Sequence, residues 1–311
     1  MRALLLLSLV TGIAVAQADL AAALDQIASS ELSRQKIPGF AAVVVKNDQE
    51  VWSAGLGVAS VESKVPVTPD TLFRLGSTRV FLAAAVSELS AQGRLNLGTP
   101  AGDYLFGLDD RQARLSAQKL LSPPSEAEEE AVAARLIGNV RGRPGPAVLE
   151  EMIFTPLGMA HTTFSPNLAM TYPLALGHTA GGQINRSPQA WDSGGLFTSA
   201  SDVGRFLTVF LNDGRVGDTL NQREVLPPAV ITALSTDSGF GLDADASRGV
   251  RLIRQTSTAP GFAGAILMAP EFHTGVVVLA NRDGASAITI AQKLLERSLP
   301  VRFPQSLAVV H

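Results

Sequence analysis

The chain has 311 residues, 46% of them hydrophobic and 17% charged, with a formal net charge of -3. That balance supplies a substantial apolar core and lacks the basic excess that a nucleic-acid partner requires. Cysteine is absent, which excludes disulfides, thiolate catalysis, thiolate metal sites and a lipid anchor on an N-terminal cysteine.

The chain opens with the pattern of a secretory signal. Arg2 is the positive head, Ala3 to Val15 is the apolar stretch, and Ala16-Gln17-Ala18 supplies the small residues at a cleavage site. Cleavage is expected after Ala18, with residues 19–311 as the mature chain. The apolar stretch is short for a membrane span, which needs about 20 residues, so no integral span is expected after cleavage. A periplasmic or secreted location follows.

Asp19 to Lys36 has Leu20, Leu24 and Ile27 on one helical face. Ile37-Pro38-Gly39 ends that helix, because the residue before proline is biased away from helix. Phe40 to Lys46 is a β-branched run, Asn47-Asp48 is a turn signal, and Glu50 to Gly57 reads as the returning strand. Ser77 to Gln92 is helical in phase, with Gly93 as its stop. Ser122-Pro123-Pro124-Ser125 is a break. The stretch Glu126 to Val140 follows as a helix with an acidic start, as the helix dipole favours. Further helices are expected over Ala147 to Phe154 and Ser199 to Asn212, the latter closed by Asp213-Gly214. Val250 to Arg254, Ala263 to Met268 and Thr274 to Ala280 read as strands, and Ala285 to Leu299 as a last helix.

Strands near both ends with helices between them predict one α/β (α+β) unit carrying an inserted, mostly helical part. The expected division is a sheet subdomain from 19–75 and 236–311, and a helical subdomain from 76–235.

Several stretches resemble one family. Ile37-Pro38-Gly39-Phe40 before a Val-rich strand, Pro69-Asp70-Thr71-Leu72-Phe73-Arg74 before Ser77, and Pro156-Leu157-Gly158-Met159 before Thr162-Thr163-Phe164 are three of them. Gly194-Gly195-Leu196-Phe197-Thr198-Ser199 with Asp202 and Phe206, Ala259-Pro260-Gly261-Phe262, and Val276 to Asp283 complete the set. Together they resemble class C β-lactamases, D-alanyl-D-alanine carboxypeptidases and related serine esterases. The resemblance implies a β-lactamase/transpeptidase-like fold: an antiparallel sheet flanked by terminal helices, with the helical domain inserted. Its implied ligands are a peptidoglycan-derived peptide, a β-lactam or a small ester, with no metal and no cofactor.

The resemblance also implies a mechanism: a Ser-x-x-Lys nucleophile, a Tyr-x-Asn loop and a Lys-Thr-Gly or His-x-Gly strand. Each is altered here. Ser77-Thr78-Arg79-Val80 puts Val80 where the lysine belongs, and Val80 cannot take a proton. Arg79, the displaced lysine equivalent, lies about 200° around a regular helix from Ser77 and holds its proton too tightly to act as a base. Ser77 therefore reads either as a nucleophile or as a helix-capping serine. Tyr104 and Tyr172 are the only tyrosines, and neither has an asparagine two residues on. The interval 121–136, where that loop belongs, is short and acidic: Ser125, Glu126, Glu128, Glu129 and Glu130. At the strand motif stand Gln255-Thr256-Ser257, followed by Thr258, substrate-binding by position only. Gln255 has no charge to hold a carboxylate. Ser257 replaces a glycine that admits substrate close to the strand. His161, His178 and His273 have no metal spacing.

Two outcomes are expected from this pattern. The first is an exported family member impaired in catalysis that binds a ligand or a protein. The alternative is an active serine esterase using Ser77 with a rearranged base.

Overall fold

The computed structural model describes residues 2–123, 127–186, 195–217, 221–235, 243–245 and 250–300. Ser125 and Glu126, Gly194, and positions 236–242 and 301–311 of the expected sheet subdomain lie outside the described residues.

The chain runs α1 (Arg2–Arg34), β1 (Gly39–Lys46), β2 (Gln49–Gly57), β3 (Leu72–Leu75) and α2 (Arg79–Ala91). Four short helices and one longer one follow: α3 (Asp110–Arg114), α4 (Ala117–Leu120), α5 (Ala127–Arg141), α6 (Gly145–Leu149) and α7 (Pro166–Ala169). Then come β4 (Leu196–Ser199), α8 (Ala200–Leu211), β5 (Arg215–Val216), β6 (Arg223–Glu224) and α9 (Pro228–Ser235). The chain closes with β7 (Asp243–Asp245), β8 (Leu252–Ala259), β9 (Phe262–Ala269), β10 (Thr274–Ala280) and α10 (Ala287–Ser298).

Strands from both ends share one antiparallel six-stranded sheet, in the order β2-β1-β10-β9-β8-β7. Phe40 pairs with Ala280 and Lys46 with Thr274, so the first strand lies against the last. Alternate side chains of a strand point to opposite faces. Phe40, Ala42 and Val44 therefore pack with Leu24 and Ala28 of α1 and with Ile290 and Leu294 of α10. Ala41, Val43 and Val45 face the other way, into the core shared with α2 and α8. Both faces of β1 are covered, which is why its sequence is a continuous apolar run rather than an alternating one.

Helix α2 is the centre of the second core. Ten of its 13 residues are buried, and its run from Val80 to Val86 is apolar without interruption, as a helix enclosed by its neighbours requires. Phe81 meets Phe154 and Phe206 edge-to-face, at centroid distances of 5.4 Å and 5.1 Å.

The structure moves several expected boundaries. α1 joins the expected leader and the Asp19 to Lys36 helix into one, and stops at Arg34 because Lys36 takes a left-handed φ of 52°. α2 begins at Arg79 rather than Ser77, with Thr78 in the capping position. The expected helix from Ala147 starts earlier, at Gly145, because Pro146 suits a first helical turn, and then widens into one π-turn over Glu150–Phe154. β8 starts at Leu252 rather than Val250 and runs five residues past the expected end at Arg254, to Ala259, where Pro260-Gly261 forms a tight loop with Gly261 at φ 84°. Among the described residues, no helix is long and apolar enough to cross a membrane.

Candidate active site

The site is assembled where the end of β3, the start of α2, strand β8 and the head of α5 meet. Gly76 makes this junction possible. A Cβ there would lie 1.8 Å from the Thr258 carbonyl oxygen, so only glycine lets the turn before Ser77 press against β8. The N–H and C=O of one strand residue point to the same edge of the strand. Thr258 therefore also directs its N–H toward the Ser77 turn, as an oxyanion-binding donor must be directed.

Gln255 locks the junction from beneath. It is 2% exposed. Its Oε1 accepts from the Val80 N–H at 2.9 Å, and its Nε2 donates to the Ser77 carbonyl at 3.1 Å. Both ends of the amide are thus committed to backbone. Thr256 and Thr258 point outward and are exposed, while Ser257 is buried. The Ser257 hydroxyl is turned toward Gly264, where an added Cβ would lie 2.6 Å from it, and it has no hydrogen-bond partner among the described residues.

Ser77 is half-buried, and its hydroxyl donates to Glu130 Oε1 at 2.6 Å. Glu130 Oε2 accepts from the Thr78 N–H at 2.7 Å and from the Thr78 hydroxyl at 3.2 Å. Glu130 is itself 8% exposed. A carboxylate from α5 thus caps the N-terminus of α2, where the helix dipole favours negative charge. Ser77 is not the cap residue; its Oγ receives only a long contact, 3.4 Å, from the Arg79 N–H. Arg79 is buried at the first position of α2 and has a partner of its own.

The residues singled out in the sequence are thus brought together in part. Ser77, Gln255 and the Thr258 backbone meet; Thr256 and Ser257 lie on opposite faces of the same strand. Glu130 was not among the candidates. Its signal was the acidic start of a helix in the interval where the tyrosine loop was sought. Tyr104 accepts the Asn96 N–H on its hydroxyl, and Tyr172 stacks edge-on against His161, so both tyrosines have other roles. The lysines are Lys36, Lys46, Lys64, Lys119 and Lys293; all are described, and none hydrogen-bonds Ser77.

The three described histidines each have a partner. His178 is fully buried, its Nδ1 2.9 Å from the Asn281 carbonyl and its Nε2 accepting from the Val61 N–H at 3.3 Å. Those contacts fix a neutral tautomer, and burial pushes its pKa down. The His161 N–H donates to buried Asp202, whose pKa burial raises. His273 Nδ1 lies 2.9 Å from the Leu211 carbonyl. Among the described residues, no group of three or more His, Cys, Asp or Glu is placed to hold a metal ion.

Comparison with known proteins gives a consistent result. The family model described as Beta-lactamase matches residues 24–122 and 114–298. A β-lactamase from Pseudomonas fluorescens is 23% identical over 346 residues, covering 86% of this chain and 95% of that protein. Protein flp of Staphylococcus aureus (strain MRSA252) is 22% identical and shares 83% of this chain, which spans 62% of that protein's length. The octameric penicillin-binding protein homologue from Pyrococcus abyssi superposes with a TM-score of 0.78 at 20% identity, over 90% of this chain and 78% of that one. A class C β-lactamase from Rhodobacter sphaeroides gives 0.70 at 23% identity, over 89% and 98%. At such identities the structural matches establish the fold.

Proposed function

The chain belongs to the β-lactamase family, and from that premise we propose that it is an exported member impaired in β-lactam hydrolysis, which keeps its cleft to bind a ligand or a protein. One observation carries this reading: the side chains that touch Ser77 and its turn are a carboxylate and a neutral amide, Glu130 and Gln255. The family chemistry asks for an ammonium group one turn after the serine and a cation or imidazole on the strand. Val80 stands at the first of those places and is fully buried.

The ligands that fit the family are peptidoglycan-derived peptides, β-lactams and small esters. Export rests on the leader pattern ahead of Ala18, and a periplasmic or secreted location rests on the same pattern. Removing a general base typically costs about 10²–10⁴-fold, and here the strand cation and the tyrosine loop are altered as well. Nitrocefin turnover should therefore fall at least about 10²-fold below an ordinary family β-lactamase, while calorimetry with a D-alanyl-D-alanine peptide or benzylpenicillin should show saturable binding. Turnover within tenfold of the ordinary enzyme would sink the proposal. N-terminal sequencing of exported protein should begin at Asp19; a chain still starting at Met1 would contradict the export reading.

A further inference from the structure

We propose that Glu130 is a proton acceptor for Ser77, and that the pair forms an acyl-transfer device for uncharged, activated esters. This goes beyond the loss of β-lactam hydrolysis and does not depend on it. Three observations support it. The Ser77 hydroxyl donates to Glu130 Oε1 at 2.6 Å, within the reach a nucleophile and its base require. Glu130 is oriented by a third group, because the Thr78 N–H and hydroxyl hold Oε2 while Oε1 accepts from Ser77. The Gly76 turn presses against the Thr258 backbone, which directs an N–H to the site of attack.

The steps balance without any further reactant than water. Ser77 Oγ attacks the ester carbonyl as its proton passes to Glu130 Oε1. The new Oγ–C bond forms, and the carbonyl oxygen becomes an oxyanion facing the backbone donors. Collapse breaks the C–O bond of the ester, and the proton on Glu130 passes to the departing alkoxide or phenoxide. Water then attacks the acyl-Ser77, gives its proton to Glu130, and the carboxylic acid leaves as the proton returns to Ser77 Oγ.

The same geometry sets the substrate class. A carboxylate is a weaker base than an amine or an alkoxide, and weak bases support acylation best when the leaving group departs easily. Gln255 is buried with both ends of its amide on backbone and gives a ligand carboxylate no cation, while the carboxylate of Glu130 lies beside the serine. Buried Arg79 is already partnered. Penicillins and cephalosporins carry a carboxylate, so the site disfavours them for a reason separate from the missing lysine.

The test uses the full exported chain with p-nitrophenyl butyrate, following p-nitrophenolate release and intact mass. A butyryl group should appear on Ser77, and Ser77→Ala should abolish it. Glu130→Gln keeps an oxygen for the Thr78 N–H but removes the basicity, so acylation should slow about 10²–10⁴-fold. The parent should show a normal solvent deuterium isotope effect on acylation, which shows a proton moving in that step, and Glu130→Asp, which keeps a carboxylate, should retain more of the acylation rate than Glu130→Gln, which a purely structural Glu130 does not require. p-Nitrophenyl hydrogen succinate should react at least about tenfold more slowly than the butyrate, as like charges near the site disfavour it. No adduct on folded parent, an isotope effect of unity, an undiminished rate in folded Glu130→Gln, or a preference for the charged ester would each overturn the proposal. Nitrocefin run on the same samples reports separately on β-lactam hydrolysis, so the two readings can fail independently.

Discussion

The Gln255 side chain donates to the Ser77 carbonyl at 3.1 Å, 178 residues away along the chain. With its other end on the Val80 N–H, the amide braces the turn that leads into α2. Gln255→Leu should leave a buried N–H and a C=O without partners. Each unsatisfied group costs about 1–3 kcal/mol, so a loss of roughly 2–4 kcal/mol is expected in urea unfolding. A variant as stable as the parent would show that water replaces the brace.

Gly76 tests the close approach of the turn to β8. Gly76→Ala sets a methyl 1.8 Å from the Thr258 oxygen, and backbone cannot yield as a flexible side chain can. The strand and the turn should separate, with a stability loss of roughly 1–3 kcal/mol, as overpacking costs. Ligand binding in the cleft should weaken more than the stability loss alone explains. Unchanged melting and unchanged binding would refute the contact.

Much of the fold was legible because it rests on patterns local in sequence. The Phe40 to Lys46 and Thr274 to Ala280 runs are apolar and β-branched, and they pair along their whole length. The Ser199 start of α8 is also local: its hydroxyl accepts from the Asp202 N–H. The short strands β3 and β4 have only four residues each, too few for a period to show. The partnership of Ser77 with Glu130 was invisible for a different reason. It joins residues 53 apart, and an acidic residue in a helix's first turns usually serves its own helix dipole. Here Glu130 serves the dipole of α2, which only tertiary packing reveals.

The junction of the terminal helices predicts acid sensitivity. Glu31 of α1 is 2% exposed and is bonded by Arg34, by Gln35 and, from α10, by Lys293. Burial pushes its carboxyl up, but the hydrogen bonds from Arg34, Lys293 and Gln35 prevail and hold it at about 2, against an ordinary 4.5. A depressed folded pKa means that the stabilisation is complete above about pH 4.5 and is lost as pH falls toward 2. Glu31→Gln should therefore cost roughly 1–3 kcal/mol at pH 7, and the gap to the parent should close as pH falls toward 2. A gap independent of pH would show that packing, not charge, is what Glu31 supplies.

Val80 gives the sharpest test of the proposed impairment. It sits three residues after Ser77, which precedes the first turn of α2; a helix continued back to Ser77 would put the two about 60° apart. Val80→Lys restores the Ser-x-x-Lys spacing without changing the length of the chain. The new ammonium would enter a fully buried position, where desolvation favours the neutral amine that can take a proton. It would also find Glu130 beside Ser77 as an ion-pair partner, which works against that neutral form. Two effects are expected together. Stability should fall by roughly 2–4 kcal/mol, since a well-packed valine is replaced by a longer, ionisable chain. Among molecules that remain folded, benzylpenicillin should acylate Ser77 faster than in the parent, as intact mass over time will record. Turnover should stay low, because Gln255 still offers no cation and the tyrosine loop is still altered. Adding Glu130→Gln removes the competing carboxylate, and the double variant should label faster than Val80→Lys alone. If neither folded variant labels faster than the parent, the missing lysine is not what limits acylation. Full β-lactam turnover from Val80→Lys alone would mean that Gln255 and the altered loop cost the site little.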